Sequence, residues 1–341
     1  MSEISPLVIG FQGTEFTKDQ LQAFKDINPY GLMVMRRNVL SREQIHKLNN
    51  QFREAVGRDD ALITTDQEGG RIQHLEGPDW PVYPIYKQFS QLIKQDLELA
   101  RETMRRASRA LASDMANAGF NANCGPVLDL CFAGASDVIS DRSFGEDPVI
   151  VAQMGAEIVA GFMESGVMPM MKHIPGHGRA LEDSHETRPI VEHSLAQLDK
   201  TDFAPFAILK DCPFAMASHV VYSACDPLPA TISKAVVDKI VRERIGFKGV
   251  LISDCVYMES LNGPIAERCQ QVQNAGVDLV LSCHGEASEW LEWHKGLQSL
   301  SGDSLTKLEY AKAQLLAIQK NIDPDPAATM QEVWKILEQY R

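Results

Sequence analysis

Short apolar runs recur along the chain, and each is followed by a segment whose apolar residues return with helical spacing. The runs are Leu7–Gly10, Leu32–Met35, Leu62–Thr65, Ala122–Cys124, Val167–Met171, Phe214–Ser218, Val250–Ser253 and Asp278–Ser282. Between them lie helical patterns at Lys18–Ile27, Arg42–Val56, Leu92–Ala118, Ile150–Glu164, Leu195–Lys210, Lys234–Glu243 and Ile265–Asn274. Strands that are apolar along their whole length are buried on both faces, which a parallel sheet covered by helices requires. Eight such units predict an α/β (β/α)8 TIM-type barrel. A doubly wound sheet is the other arrangement of such units, but no GxGxxG follows an early strand. Leu305–Lys320 and Met330–Tyr340 read as closing helices within a C-terminal 305–341 segment. With no low-complexity linker and no solenoid repeat, residues 1–341 read as one domain.

The strand ends carry the polar chemistry. Arg36, Arg37 and Asn38 follow the second run, Asp66, Gln67 and Glu68 the third, Lys172 and His173 the fifth, His219 the sixth and Asp254 the seventh. In a barrel these positions rise around one rim, where active sites lie. The densest stretch is KHIPGHGRALEDSH, residues 172–185, opening a loop that runs to 189.

Each residue has a plain reading beside a chemical one. Asp254 is either an N-cap for a following helix or a nucleophile or charge stabiliser at a buried strand end. Asp183 and His185 form either an Asx-turn with a surface histidine or an acid/base pair, with the carboxylate orienting the imidazole. Lys172 and His173, directly after the strand, are suited to sugar hydroxyls or a carboxylate. Pro175, Gly176 and Gly178 look like devices for a sharp turn, and His177 between the glycines reads as structural. Asp66 heads DQEGGR, whose paired glycines mark a tight turn or a close approach. Arg142 in DRSFGEDP clamps an anion or acyl oxygen, or else pairs at the surface with Asp141 or Glu146.

Composition narrows the partners. Of 341 residues, 44% are hydrophobic and 23% charged, as in an ordinary globular enzyme. A net charge of −13 argues against nucleic acid and against anionic membranes as partners. No apolar run approaches the ~20 residues of a membrane span, and the N-terminus lacks the pattern of a signal peptide. Seven cysteines without a CxxC pair fit reduced thiols, so a cytoplasmic location is expected.

Taken together, DQEGGR (66–71), DRSFGEDP (141–148), KHIPGHG (172–178), DSH (183–185) and ISD…M (252–258) resemble glycoside hydrolase family 3. GLMVMRRN (31–38), SHVVYSACDPLPAT (218–231) and AGVDLVL (275–281) fit its pattern as well. The resemblance spans nearly the whole chain and is to the single-domain bacterial β-N-acetylglucosaminidase branch. It implies a TIM-type barrel without a second domain and a retaining exo-β-N-acetylglucosaminidase. Asp254 would be the nucleophile, His185 the acid/base and Asp183 its partner. Asp66, Arg142, Lys172 and His173 would hold the terminal N-acetylglucosamine. The implied substrate is a small carbohydrate of the N-acetylglucosaminyl-anhydromuramyl-peptide type, met in cell-wall recycling. No cofactor and no metal are implied, and the protein is expected as a monomer or weak homo-oligomer. Two positions depart from the family pattern: Cys255 stands where a second Asp is usual, and His74 where an arginine is usual. They motivate a second reading, a catalytically weakened sugar-binding relative. A third is a metal-dependent hydrolase built on His173, His177, His185 and Asp183, although the spacing is not HExxH.

Overall fold

The computed structural model describes residues 3–134, 137–180 and 187–341. Eight parallel strands organise it: β1 (Ser5–Gly10), β2 (Pro29–Met33), β3 (Leu62–Thr64), β4 (Ala122–Asn123), β5 (Met168–Ile174), β6 (Phe214–Ala217), β7 (Val250–Ser253) and β8 (Val280–Ser282). They form two four-stranded sheets, ordered β8-β1-β2-β3 and β4-β5-β6-β7, with every pairing parallel. Within each sheet consecutive strands are neighbours, with β8 beside β1, and parallel neighbours need crossover connections, which here carry the helices. Where the sheets meet, isolated bonds replace a continuous ladder. Asn121 N donates to Ile63 O and Cys124 N to Thr65 O at one seam, and Ser253 N donates to Leu279 O and Val256 N to Leu281 O at the other.

Successive residues of the strands divide between two apolar clusters, because side chains alternate across a strand. Val8, Met33, Leu62, Met170, Phe214, Met216, Ile252, Leu279 and Leu281, drawn from both sheets, pack with one another. Their neighbours Leu7, Ile9, Leu32, Ile63, Met171, Ala215, Leu251 and Val280 pack with the helices.

Helices start where side chains satisfy their first N–H groups. Thr17 and Ser41 accept from Gln20 N and Gln44 N, so Lys18–Ile27 and Arg42–Val56 begin as the sequence predicts. The predicted Leu92–Ala118 helix divides into Ser90–Gln95 and Leu97–Asn117 because Asp96 turns extended and caps the second helix through Leu99 N. The predicted Leu195–Lys210 helix is instead two short ones, Leu195–Leu198 and Ala204–Ile208. Pro205 has no N–H to continue a helix and sits at the start of the second. The closing helices run Gly302–Ala317 and Pro326–Gln339, the latter capped by Asp325 on Ala328 N. Among the described residues, no helix is long and apolar enough to cross a membrane.

Candidate active site

A cavity of about 460 Å³ opens beyond the C-terminal ends of the strands, lined by Asp66, Arg142, Lys172, His173 and Asp254 among others. Side chains more than a hundred residues apart in sequence meet there because Asp66 and Asp254 follow β3 and β7, Lys172 and His173 lie near the end of β5, and Arg142 sits on a 3-10 turn, Ser140–Arg142, in the connection after β4. The other two predicted catalytic residues, Asp183 and His185, lie outside the described residues. The chain on either side of them is anchored. Arg179 pairs with Asp202 at 2.7 Å and covers the Phe132 ring, and Arg188 donates to Ser260 O at 3.0 Å, in the loop that follows Asp254.

Asp66 and Glu68 lie on one side of a short hairpin, Gln67–Gly69 with Ile72–Gln73. The paired glycines serve its turn: a Cβ on Gly70 would fall 1.7 Å from a carbon of Ile85, away from the cavity. Lys172 Nζ lies 2.6 Å from Asp66 Oδ1 and 2.6 Å from Glu68 Oε1. The Arg142 guanidinium grips Glu68 with two bonds of 2.8 Å and donates a third to Val138 O at 2.9 Å. Two cations thus face two carboxylates, as buried charges must. Burial alone would raise the Glu68 carboxyl, but Arg142 and Lys172 override it and hold it far below the usual carboxylate range. Burial likewise disfavours the Lys172 ammonium, and Asp66 and Glu68 outweigh that, keeping it protonated at every ordinary pH. The plain alternative for Arg142, a surface pair with Asp141 or Glu146, is set aside: its partner is Glu68, and Asp141 pairs with Arg71 at 2.8 Å.

Lys172 and His173 belong to β5 itself rather than to the loop after it. The ladder shifts register between Lys172 and Ile174, an irregularity that lets neighbouring residues both reach the cavity. The His173 ring is held by Asp129, which is almost fully buried: Nδ1 donates to Oδ2 at 2.6 Å. The same carboxylate accepts from His173 N at 3.2 Å and His177 N at 2.7 Å, so one acid fixes both ends of the turn. Burial works to raise the Asp129 carboxyl and the His173 ring reverses this, leaving it below its ordinary value. His177 is buried, and desolvation with the neighbouring His173 pushes its pKa down to about 4. A Cβ on Gly178 would meet Leu130 O at 2.0 Å, so only glycine lets this turn pack so close.

Asp254 leaves β7 with 7% of its surface exposed. Its Oδ1 accepts from Cys255 N at 2.7 Å and its own N–H donates to Ala217 O at 3.1 Å. No helix begins between Asp254 and Ile265, so the N-cap reading of Asp254 is replaced by a carboxylate lining the cavity. His219, expected on the rim, is fully buried beneath it and bonds Cys255 O at 3.0 Å. His74 does line the cavity and meets Thr65 Oγ1 at 3.2 Å, and burial lowers its pKa.

Two neighbours were given no role in the sequence reading, Glu68, named there only as a strand-end residue, and Asp129. Glu68 is two residues from Asp66, the spacing that puts strand side chains on one face, so alternation could have found it. Asp129 sits inside the apolar run VLDL, where an acid is rarely buried without a partner.

The model of the glycosyl hydrolase family 3 N terminal domain matches residues 8–319. The chain belongs to this family. Within it, the relatives carry the name β-hexosaminidase. That of Bordetella pertussis is 33% identical over 290 residues, 84% of this chain and 82% of the relative. That of Nitrosospira multiformis is 30% identical over 336 residues, 93% of this chain and 95% of the relative. Among solved structures, NagZ from Neisseria gonorrhoeae in complex with N-trifluoroacetyl-D-glucosamine superposes with a TM-score of 0.85 at 27% identity, over 99% of this chain and 98% of that one. A family 3 β-N-acetylglucosaminidase from Paenibacillus superposes at 0.82 with 27% identity, over 96% of this chain but 66% of that longer one.

Proposed function

We propose that the protein is a retaining exo-β-N-acetylglucosaminidase that releases terminal N-acetylglucosamine from cell-wall fragments through a glycosyl-enzyme intermediate on Asp254. The observation that carries this is the meeting of Asp254 with the Asp66–Lys172–Arg142 cluster in one cavity, in a chain whose relatives are named β-hexosaminidases. At about 460 Å³ the cavity has the size of a small-molecule site.

In this reading the eight strands close into one (β/α)8 barrel, a single domain, with the apolar cluster shared by both sheets as its filling. Asp66 accepts from sugar hydroxyls while Lys172, Arg142 and His173 donate to sugar oxygens, so both lone pairs and protons of the ring substituents find partners. Asp254 attacks the anomeric carbon and the glycosidic bond breaks, while His185, oriented by Asp183, gives its proton to the leaving oxygen. The neutral imidazole then takes a proton from water, which attacks the same carbon from the other side and frees Asp254. The configuration is retained because it is inverted twice. A histidine suits both halves because it titrates near neutrality. The fragments are small soluble saccharides of the N-acetylglucosaminyl-anhydromuramyl-peptide type, handled in the cytoplasm by a monomer or weak homo-oligomer.

The test is hydrolysis of aryl β-N-acetylglucosaminide against the matching β-glucoside, with the anomer first released read by NMR. Turnover of the acetamido sugar alone, with β product first, supports the proposal. First release of the α anomer contradicts retention, and sugar binding without turnover favours the weakened relative.

A further inference from the structure

Two cysteines share the cavity wall beside Asp254. Cys255 follows Asp254 directly at the end of β7, and Cys283 follows Ser282 at the end of β8. Strands β7 and β8 are neighbours, joined by the Ile252–Leu279 bridge and by Val256 N donating to Leu281 O at 3.0 Å. The two residues are brought together at that seam: the Cys283 backbone N–H donates to Cys255 Sγ at 3.2 Å. Adjacent strands stand ~4.8 Å apart, within the Cα separations that a disulfide spans. The remaining cysteines, Cys124, Cys131, Cys212, Cys225 and Cys269, lie elsewhere and none lines this cavity.

We propose that Cys255 and Cys283 form a reactive dithiol whose reaction partner is a small organic disulfide entering the cavity, and that their oxidation shuts the site. The Cys255 thiolate attacks one sulfur of the disulfide RSSR, forming a mixed disulfide and expelling RS⁻. Cys283 then gives up its proton and attacks Cys255 Sγ, expelling the second RS⁻, which is protonated. Two protein thiols are oxidised and one RSSR is reduced to two RSH.

The surroundings assign the roles. A hydrogen bond with the Cys283 thiol draws the Cys255 pKa below its ordinary value against burial and the neighbouring Asp254 carboxylate, and backbone N–H groups of Cys283 and Tyr257 assist. The same bond, with burial, keeps Cys283 protonated until the mixed disulfide removes its acceptor. Arg37, whose guanidinium donates to Cys283 O, places a positive charge beside the pair. Thiolates are favoured by such settings. Closure reaches the chemistry because Asp254 Oδ1 is bonded to Cys255 N at 2.7 Å, so drawing Cys255 toward Cys283 moves the carboxylate. This inhibitory consequence rests on the function proposed above, whereas the dithiol itself does not.

The test treats the full-length protein with 2-hydroxyethyl disulfide and reads intact mass, a non-reducing peptide map and aryl β-N-acetylglucosaminide turnover. The expected product has lost two hydrogen atoms, carries no adduct, and joins the Cys255 and Cys283 peptides. Turnover should be lost and return with dithiothreitol, and Cys283→Ser should stop at a mixed disulfide on Cys255. Stable hydroxyethyl adducts on both cysteines, or reaction at Cys131 and Cys225 with neither cavity cysteine touched, would overturn the dithiol. A cross-link that leaves turnover unchanged overturns the closure. Absence of turnover before oxidation tells against the hydrolase reading instead, and the mass readout still decides the dithiol.

Discussion

Arg142 and Glu68 meet in two parallel bonds of 2.8 Å, with only 10% and 3% of their side chains exposed. The guanidinium fork is thereby fixed at the cavity wall, and its charge is balanced before any ligand arrives. Glu68→Gln removes the balancing charge while keeping the shape, leaving Arg142 and Lys172 against Asp66 alone. Breaking one side of a buried pair costs roughly 3–5 kcal/mol. Urea denaturation should show a loss of that order, together with a raised KM for aryl N-acetylglucosaminide. A variant as stable as the parent would show the pair to be energetically idle.

In the proposed site Asp129 would act on substrate through His173, which it holds at 2.6 Å, as a positioning residue. Asp129→Asn keeps an acceptor but no charge, and its amide can turn a donor toward Nδ1. A hydrogen bond to a charged group is worth about 1.5–3 kcal/mol, or roughly ten- to a hundredfold in kcat/KM. The loss should fall on KM with kcat little changed, since the His173 ring loses the bond that fixes it in the cavity wall. A loss shared equally by KM and kcat would reduce Asp129 to a purely structural role.

Stability should depend on pH with a definite sign. Burial pushes His177 from 6.5 down to about 4, so between those values the unfolded chain binds the extra proton. Its contribution is complete above about pH 6.5 and is lost as pH falls toward 4, by about 3 kcal/mol. Glu68 acts in the same direction lower down, because a depressed carboxyl gives stability that disappears as pH drops below the ordinary carboxylate range. Urea midpoints compared at neutral and mildly acid pH should show the slope, and His177→Gln should flatten its upper part.

Much of this was legible along the chain, and for identifiable reasons. Lys18–Ile27, Arg42–Val56 and Ile265–Asn274 appear with the predicted bounds because amphipathic spacing is local, and the first two carry local caps as well. Asp66, Lys172, His173 and Asp254 are brought to one cavity because a polar residue at the end of a buried parallel strand has only one place to go, and Arg142 joins them from the connection after β4. Pairings across long separations were not legible. Nothing near Arg142 indicates that its partner is Glu68, 74 positions away, instead of an adjacent acid. The broken helix before Pro205 shows a local rule prevailing over an apparent period.

His185→Ala tests the proposed proton donor, whose position lies outside the described residues. Leaving groups that depart as alkoxides need protonation and good aryl leaving groups do not. The variant should lose about a hundredfold or more on disaccharides and far less on activated aryl glycosides. Equal losses on both substrates would remove His185 from the acid role.

Everything in the proposed chemistry passes through Asp254. The most direct measurement is to trap it with a fluorinated N-acetylglucosaminyl fluoride, whose departing fluoride needs no acid and whose ring fluorine slows release. Intact mass should gain one glycosyl unit, and peptide mapping should place it on Asp254. No adduct in a protein that turns over N-acetylglucosaminide, or an adduct on another residue, would contradict the account.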